Sequence, residues 1–352
     1  MYDSRVPERV LTQRELNRAV LARQLLLERV NLPIPRALER VGGLQTQESR
    51  SGYIGFWSRL QRFEREDLTR ALERRSVVQG TVMRITIHTV SARDYRLFTE
   101  GIRAARRESW VKSHGKRVEA KKMPAVSKRV ASALAEGPRW RREVVEELGL
   151  DSPTWNGVGM WVDLLRAPPS GTWERPRADL YVTADDWLGP GEATEAKGLE
   201  HLLRRYLGAF GPATLKEAAN WAWLPAKAFA PAADKLRLRR FRFEDGTELL
   251  DVQGAPLPDP ETPAPPRFLP TWDATLLAHA RRAEILPEEH RSRIFDPRTP
   301  HSLSAFLVDG RAAGSWRLER GRVKLEPFGR IPKDARKQLD DEAERLAEFA
   351  AD

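Results

Sequence analysis

The sequence predicts an α+β protein: three tandem winged-helix units followed by an antiparallel β-barrel-like unit that ends in a helix. Three observations predict it. Gly-Pro followed by Glu five residues after the proline occurs twice, at Gly137-Pro138…Glu143 and at Gly211-Pro212…Glu217. The hairpin signal Asp245-Gly246 joins two apolar runs after the second copy. A stretch with six prolines, residues 253–267, then separates these helical segments from a strand-rich C-terminal part.

The first unit is assigned to residues 1–96. Thr12 and Glu15 form a capping-box pair, and Leu16, Ala19 and Val20 recur at helical spacing. Pro35 can open a second helix, carrying Ala37, Leu38 and Val41, which Gly42-Gly43 ends. Asp67 begins a third, with Leu68, Ala71 and Leu72. Residues 81–90 alternate, with Met83, Ile85 and Ile87 on one face and Arg84, Thr86 and His88 on the other, as a strand does. Ser91-Ala92-Arg93-Asp94 then starts a basic helical connector, bounded here as 97–125.

The second unit, 126–190, and the third, 191–252, hold the two Gly-Pro copies. In each, glycine closes one helix and proline prevents its continuation. Thr214 and Glu217 make a capping box; Trp140 stands at the cap position of the other copy. After the first copy come a helical stretch from Thr154 to Leu165 and strands near Trp173 and over 179–183; after the second come 225–236 and the hairpin 237–243 with 248–252. The linker, 253–267, is expected to be extended. Within 268–352, strands are expected over 268–277, 305–308, 312–319 and 322–326, and a helix from Pro332 to about Phe349 with Ala335, Leu339, Ala343 and Leu346 on one stripe.

Composition narrows the chemistry. With no cysteine, thiol catalysis, disulfides and zinc–thiolate sites are excluded. None of the six histidines is spaced as a metal pair, so no metal and no cofactor are expected. Neither a Gly-rich phosphate loop nor a GxSxG elbow is present. No apolar run is long enough for a membrane span, and the start is not a signal peptide, so a cytoplasmic protein is expected. The net charge is +10, and residues 101–129 carry ten Lys/Arg against two acids. Such a band is either a polyanion seat or a solvated helix.

Gly42-Gly43-Leu44-Gln45-Thr46-Gln47-Glu48-Ser49 stands out. In an extended chain the Gln45 and Gln47 amides point the same way and can hold one water or sugar oxygen, whereas Glu48 faces the other side. Two surface glutamines near a turn would give the same pattern.

That segment, with Phe56-Trp57-Ser58-Arg59-Leu60, the run from Met83 to Ala92, Phe268-Leu269-Pro270-Thr271-Trp272-Asp273 and the run from Phe306 to Arg317, resembles the HTH_42 winged-helix superfamily of bacterial DNA glycosylases over nearly the whole chain. The resemblance is to the AlkZ branch, associated with azinomycin self-resistance, whose motif is Gln–apolar–Gln; the YcaQ branch carries Asp at the last position, where this chain has Gln47. Thr46 is less apolar than that motif. The resemblance implies a C-shaped monomer and Gln45 and Gln47 as catalytic residues. It further implies repair of double-stranded DNA carrying alkylated purines, with bulky adducts and interstrand cross-links as further substrates, in a bacterial cytoplasm at the nucleoid. Arg59, Arg84, His88, Lys121, Lys122, Arg237, Arg239 and Arg311 are the candidate DNA contacts; Arg311 is the tip of a Val308–Trp316 hairpin that could enter a minor groove. Asp273 reads as a turn residue.

Cationic N7-alkylguanine leaves readily, so a site needs to place water below C1′ rather than to protonate the base. Glutamine suits that task. The rival readings are a winged-helix transcriptional regulator without catalysis, and a structural DNA-binding protein.

Overall fold

A computed structural model describes residues 7–115, 118–277, 285–295 and 301–351. Among the described residues it is a mixed α+β fold with three sheets. Lys116 and Arg117 of the basic band and His279 lie outside the described residues. No described helix is long and apolar enough to cross a membrane.

The chain opens with β1 (Val10–Leu11) and α1 (Gln13–Arg23), whose Thr12 cap and Glu15 satisfy one another's backbone amides. Next come α2 (Ile34–Val41), β2 (Leu44–Gln45), α3 (Ser49–Trp57), α4 (Arg65–Glu73), β3 (Val77–Thr81) and β4 (Ile87–Ser91). Ser91 caps the long α5 (Ala92–His114), which begins five residues before the expected connector boundary. The second segment holds α6 (Met123–Ala133), β5 (Arg139–Trp140), α7 (Arg141–Leu148), α8 (Ser152–Val158), β6 (Leu164–Arg166), β7 (Leu180–Thr183) and α9 (Ala184–Leu188). The third holds α10 (Glu195–Phe210), α11 (Leu215–Ala222), α12 (Ala230–Lys235), β8 (Leu238–Phe243) and β9 (Glu248–Val252). Last come β10 (Arg267–Leu269), α13 (Glu288–Ile294), β11 (Ser304–Val308), β12 (Arg311–Glu319), β13 (Arg322–Pro327) and α14 (Lys333–Ala351).

One local arrangement occurs three times. Two residues after Gly137 and Gly211, Arg139 pairs with Tyr181 and Ala213 with Leu250, each on the second strand of the following hairpin. Gly42 is followed in the same way by Leu44, which pairs with Thr89. Gln45, Trp140 and Thr214 therefore occupy one position, and Glu48, Glu143 and Glu217 another. In the third segment the helix starts at once, because Thr214 and Glu217 cap it. In the first it starts only at Ser49, capped by Glu48, whose carboxylate accepts from the Arg50 amide. Gln45, Thr46 and Gln47 thus stay extended where the other segments wind their first turn.

The wings of the first two segments join in one sheet, β2-β4-β3-β6-β7-β5, and share a core along it, while each segment also keeps an apolar cluster of its own, around Leu38, Phe56 and Leu72 in the first and around Val130, Val144 and Trp155 in the second. The helices α5 and α10 cross at Gly101 and Gly198. A Cβ on Gly198 would meet the Gly101 amide nitrogen at 2.5 Å, so the crossing needs both glycines.

Several local expectations are corrected by tertiary packing. The alternating run over 81–90 is broken at 83–85, where Arg84 and Ile85 take positive φ of 54° and 57°. The first strand of the second wing is Leu164–Arg166, not the stretch near Trp173; Trp173 instead packs against Tyr53 and Phe349. The C-terminal strands form an open four-stranded sheet, β10-β11-β12-β13, covered by α14 rather than closed into a barrel. Leu339, Ala343 and Leu346 are the buried stripe of that helix.

Candidate active site

Gln45 and Gln47 leave the chain next to β4 and the turn before it. The Thr46 amide donates to the Ile87 carbonyl at 2.8 Å, and the Ile87 amide donates to Gln47 Oε1 at 3.1 Å. Gln45 Oε1 accepts from Arg84 Nη2 at 2.8 Å. Both amides therefore reach the same turn, but their surroundings differ. Gln45 is buried, 6% exposed. Gln47 is exposed and lines a cleft of about 820 Å³. Between them Thr46 is buried, its methyl against Gly52 of α3 and its hydroxyl 3.1 Å from that of Thr89. The less apolar middle residue is thus satisfied inside the fold.

The cleft runs between the first wing, α5 and the second segment, with Trp110, His114, Arg141 and Trp155 among its walls. Each carboxylate on its lining, Asp163 and Asp179, already faces an arginine: Arg103 and Arg177 respectively. Gln47 adds a neutral amide acceptor to that lining. Among the described residues no group of His, Asp or Glu could hold a metal ion.

The buried side of the site is held by charge without a carboxylate. Arg84 also donates to the Trp221 carbonyl at 3.0 Å, and burial lowers its guanidinium to about 10. His88 pairs across the sheet with Gln45 and donates through Nδ1 to the Thr86 carbonyl, 3.0 Å away. Burial, with Arg84 nearby, lowers His88 to about 3, so it is neutral at pH 7. The unfolded chain, with His near 6.5, binds the proton that the folded chain refuses between those values. Stability is therefore complete above pH 6.5 and falls as the pH drops toward 3. Replacing His88 by Asn is expected to remove about 2 kcal/mol of the stability lost between pH 7 and pH 5. Denaturant unfolding at the two pH values checks it; an unchanged difference would mean that His88 does not titrate in this way.

The other expected DNA contacts divide. Arg59 is buried, and its guanidinium bonds to Asp273 Oδ1 at 3.0 Å, Thr275 Oγ1 and the Gly55 carbonyl. It ties α3 to the C-terminal part and is closed to DNA; Asp273 is its partner and caps a 3-10 turn. His88 is closed to DNA by the same burial. Arg239 pairs with Glu8 at 2.8 Å and stacks on Phe241, and its strand is covered by β1, so this wing has no free edge there. Arg237 is exposed. Arg311 is exposed too, but the turn before it is docked: Asn17 Nδ2 bonds the Gly310 carbonyl at 2.9 Å and Arg18 pairs with Asp309. The Val308–Trp316 hairpin is thereby part of the body and not a free probe. In the basic band, Lys121 and Lys122 are exposed, with Lys122 paired to Glu119. Arg103, Arg106 and Arg107 bond back into the fold, so the band is only partly free.

The mixed α+β fold brings two glutamines to one turn, one of them on a cleft lined, among the described residues, by four arginines and two aspartates, and the chain belongs to the AlkZ-like DNA glycosylase family. The family's model, described as DNA glycosylase AlkZ-like, matches residues 38–349. A similar curated protein is the interstrand DNA cross-link repair glycosylase of Streptomyces sahachiroi, 25% identical over 366 aligned positions and covering 93% of each chain. The solved structure of the Streptomyces sahachiroi DNA glycosylase AlkZ is similar in fold, with a TM-score of 0.80 at 19% identity over 96% of this chain and 97% of that one. The chain is accordingly an enzyme of the DNA glycosylase class.

Proposed function

We propose that this enzyme is a monofunctional glycosylase, acting as a monomer on double-stranded DNA, that releases cationic N-alkylated purines of the N7-alkylguanine type. In this reading the three Gly-turn segments are winged helices arranged around the duplex in a C-shape. Gln47, exposed on the lining of the cleft with its carbonyl beside the start of β4, is the observation that carries it. Its carbonyl retains a second lone pair for the nucleophilic water. Gln45, fixed by Arg84, supports the same water from the buried side. The water oxygen bonds to C1′ as the C1′–N9 bond breaks. The bond's electron pair neutralises the cationic purine, and the water's proton passes to solvent. No general acid is needed, because the base already carries its positive charge.

The relative named as an interstrand cross-link repair glycosylase supports extending the substrate range to purines joined across the duplex. The test is base release from one duplex carrying N7-methylguanine and another carrying an N7-linked cross-link. The first is expected to give free base and an abasic site, and the second an abasic site on one strand with the released purine still tethered to the other strand. Tight binding with no base release would favour the regulator reading instead.

A further inference from the structure

Of the eleven tryptophans, Trp223 alone is exposed, at 54% of its surface. It ends α11 in the left-handed region, with φ of 59°. Twelve residues after Gly211, it matches Gly149, which lies twelve after Gly137 and ends α7 with φ of 62°. Glycine adopts that conformation freely, whereas a side chain strains it. At this one cap the chain keeps a large aromatic residue against both its backbone preference and its tendency to be buried. A backbone held this way, with its side chain turned outward, points to a use for the side chain.

Its surroundings supply the use. Trp223 lines the same cleft as Gln47, and it borders a small adjoining cavity with Ile85 and Arg84. Arg84 bonds both Gln45 and the Trp221 carbonyl, so the end of α11 is tied to the glutamine pair by one side chain. The cleft volume of about 820 Å³ exceeds that of a purine. An indole face attracts a cation, and a cationic purine brings both positive charge and a stacking surface.

We propose that Trp223, beside Ile85, is the platform on which the cationic purine stacks at the mouth of the cleft. The proposal rests on the glycosylase reading above for its substrate and assigns the residue that distinguishes a charged base from a neutral one.

The experiment measures affinity for two duplexes. One carries N7-methylguanine on a 2′-fluorinated arabinose, whose electron-poor sugar resists cleavage. The other carries the neutral isostere 7-methyl-7-deazaguanine on the same sugar. The wild-type protein is expected to prefer the cationic duplex on the order of tenfold. Trp223→Ala and Trp223→Gly should lose that preference, and Trp223→Phe should keep most of it. The Gly variant restores the residue found at the equivalent cap, so its thermal unfolding should remain cooperative. A preference that survives in Trp223→Ala and Trp223→Gly, or one absent from the wild type, overturns the proposal. Base release from the unfluorinated duplex is read separately. A wild type that prefers the cationic base through Trp223 yet releases none overturns the glycosylase reading and leaves this one standing.

Discussion

Gln47→Ala is expected to slow release of N7-methylguanine from duplex DNA about a hundredfold, while affinity for undamaged duplex stays within about twofold. One lost transition-state contact of this kind typically removes about 10²–10³ in rate. The low end applies because a cationic purine departs easily. Affinity is spared because the exposed cations, such as Lys121, Lys122 and Arg237, lie on other elements. Single-turnover release of the free base, alongside a binding titration, is the measurement. Release at the wild-type rate would place the chemistry elsewhere. Gln47 is the cleaner of the two glutamines. Gln45→Ala would also strip an acceptor from the half-buried Arg84 and so destabilise the fold by about 1–3 kcal/mol. The rate losses of the two variants should not multiply, since both amides serve one water. Gln47→Asp puts a full negative charge beside the developing positive sugar and is expected to retain or raise activity on small lesions.

Asp251→Ala is expected to cost about 3–5 kcal/mol of stability, because it leaves a fully buried guanidinium without its counter-charge. Arg23 and Asp251 are both 0% exposed and meet in two parallel bonds of 2.6 and 2.8 Å. The same guanidinium also donates to the Leu207 and Pro256 carbonyls, so one side chain joins α1, α10, β9 and the proline-rich linker. The expected drop in melting temperature is roughly 5–10 °C. Removing both charges together, as Arg23→Met with Asp251→Leu, should recover part of it, since the uncompensated charge is the main penalty. A melting temperature for Asp251→Ala within a degree of wild type would show that water reaches the site and solvates Arg23.

The candidate site was only half legible beforehand. That Gln45 and Gln47 belong together could be read from their spacing after two glycines. That one is exposed and the other buried could not, because burial is set by Arg84 arriving from a turn 39 residues away. The helix Ser49–Trp57 was also missed. Its Gly52 and Gly55 weaken local helix preference, and only their packing against Thr46 and Leu44 accounts for them. The delayed start of that helix is what leaves the glutamines extended. Trp223 carried no local signal beyond its offset from Gly211, which becomes informative once Gly149 is seen to hold the same backbone.

What the sequence determined by itself is what neighbouring residues decide between them. The capping pairs Thr12–Glu15 and Thr214–Glu217, the turn at Asp245-Gly246 and, in the stripe of α14, Leu339, Ala343 and Leu346 formed as read, with Ala335 only half-buried. In each, the donor, acceptor or apolar partner lies within a few positions along the chain, so the local pattern contains its own explanation. The tertiary structure alone decided which charges are free. Arg59, His88 and Arg239 look like DNA contacts in a linear reading, but they are enclosed or paired by Asp273, the sheet around Gln45, and Glu8. An arginine's availability depends on what the rest of the chain brings to it: a buried guanidinium must find its partners within the protein, and that requirement is invisible until distant segments meet.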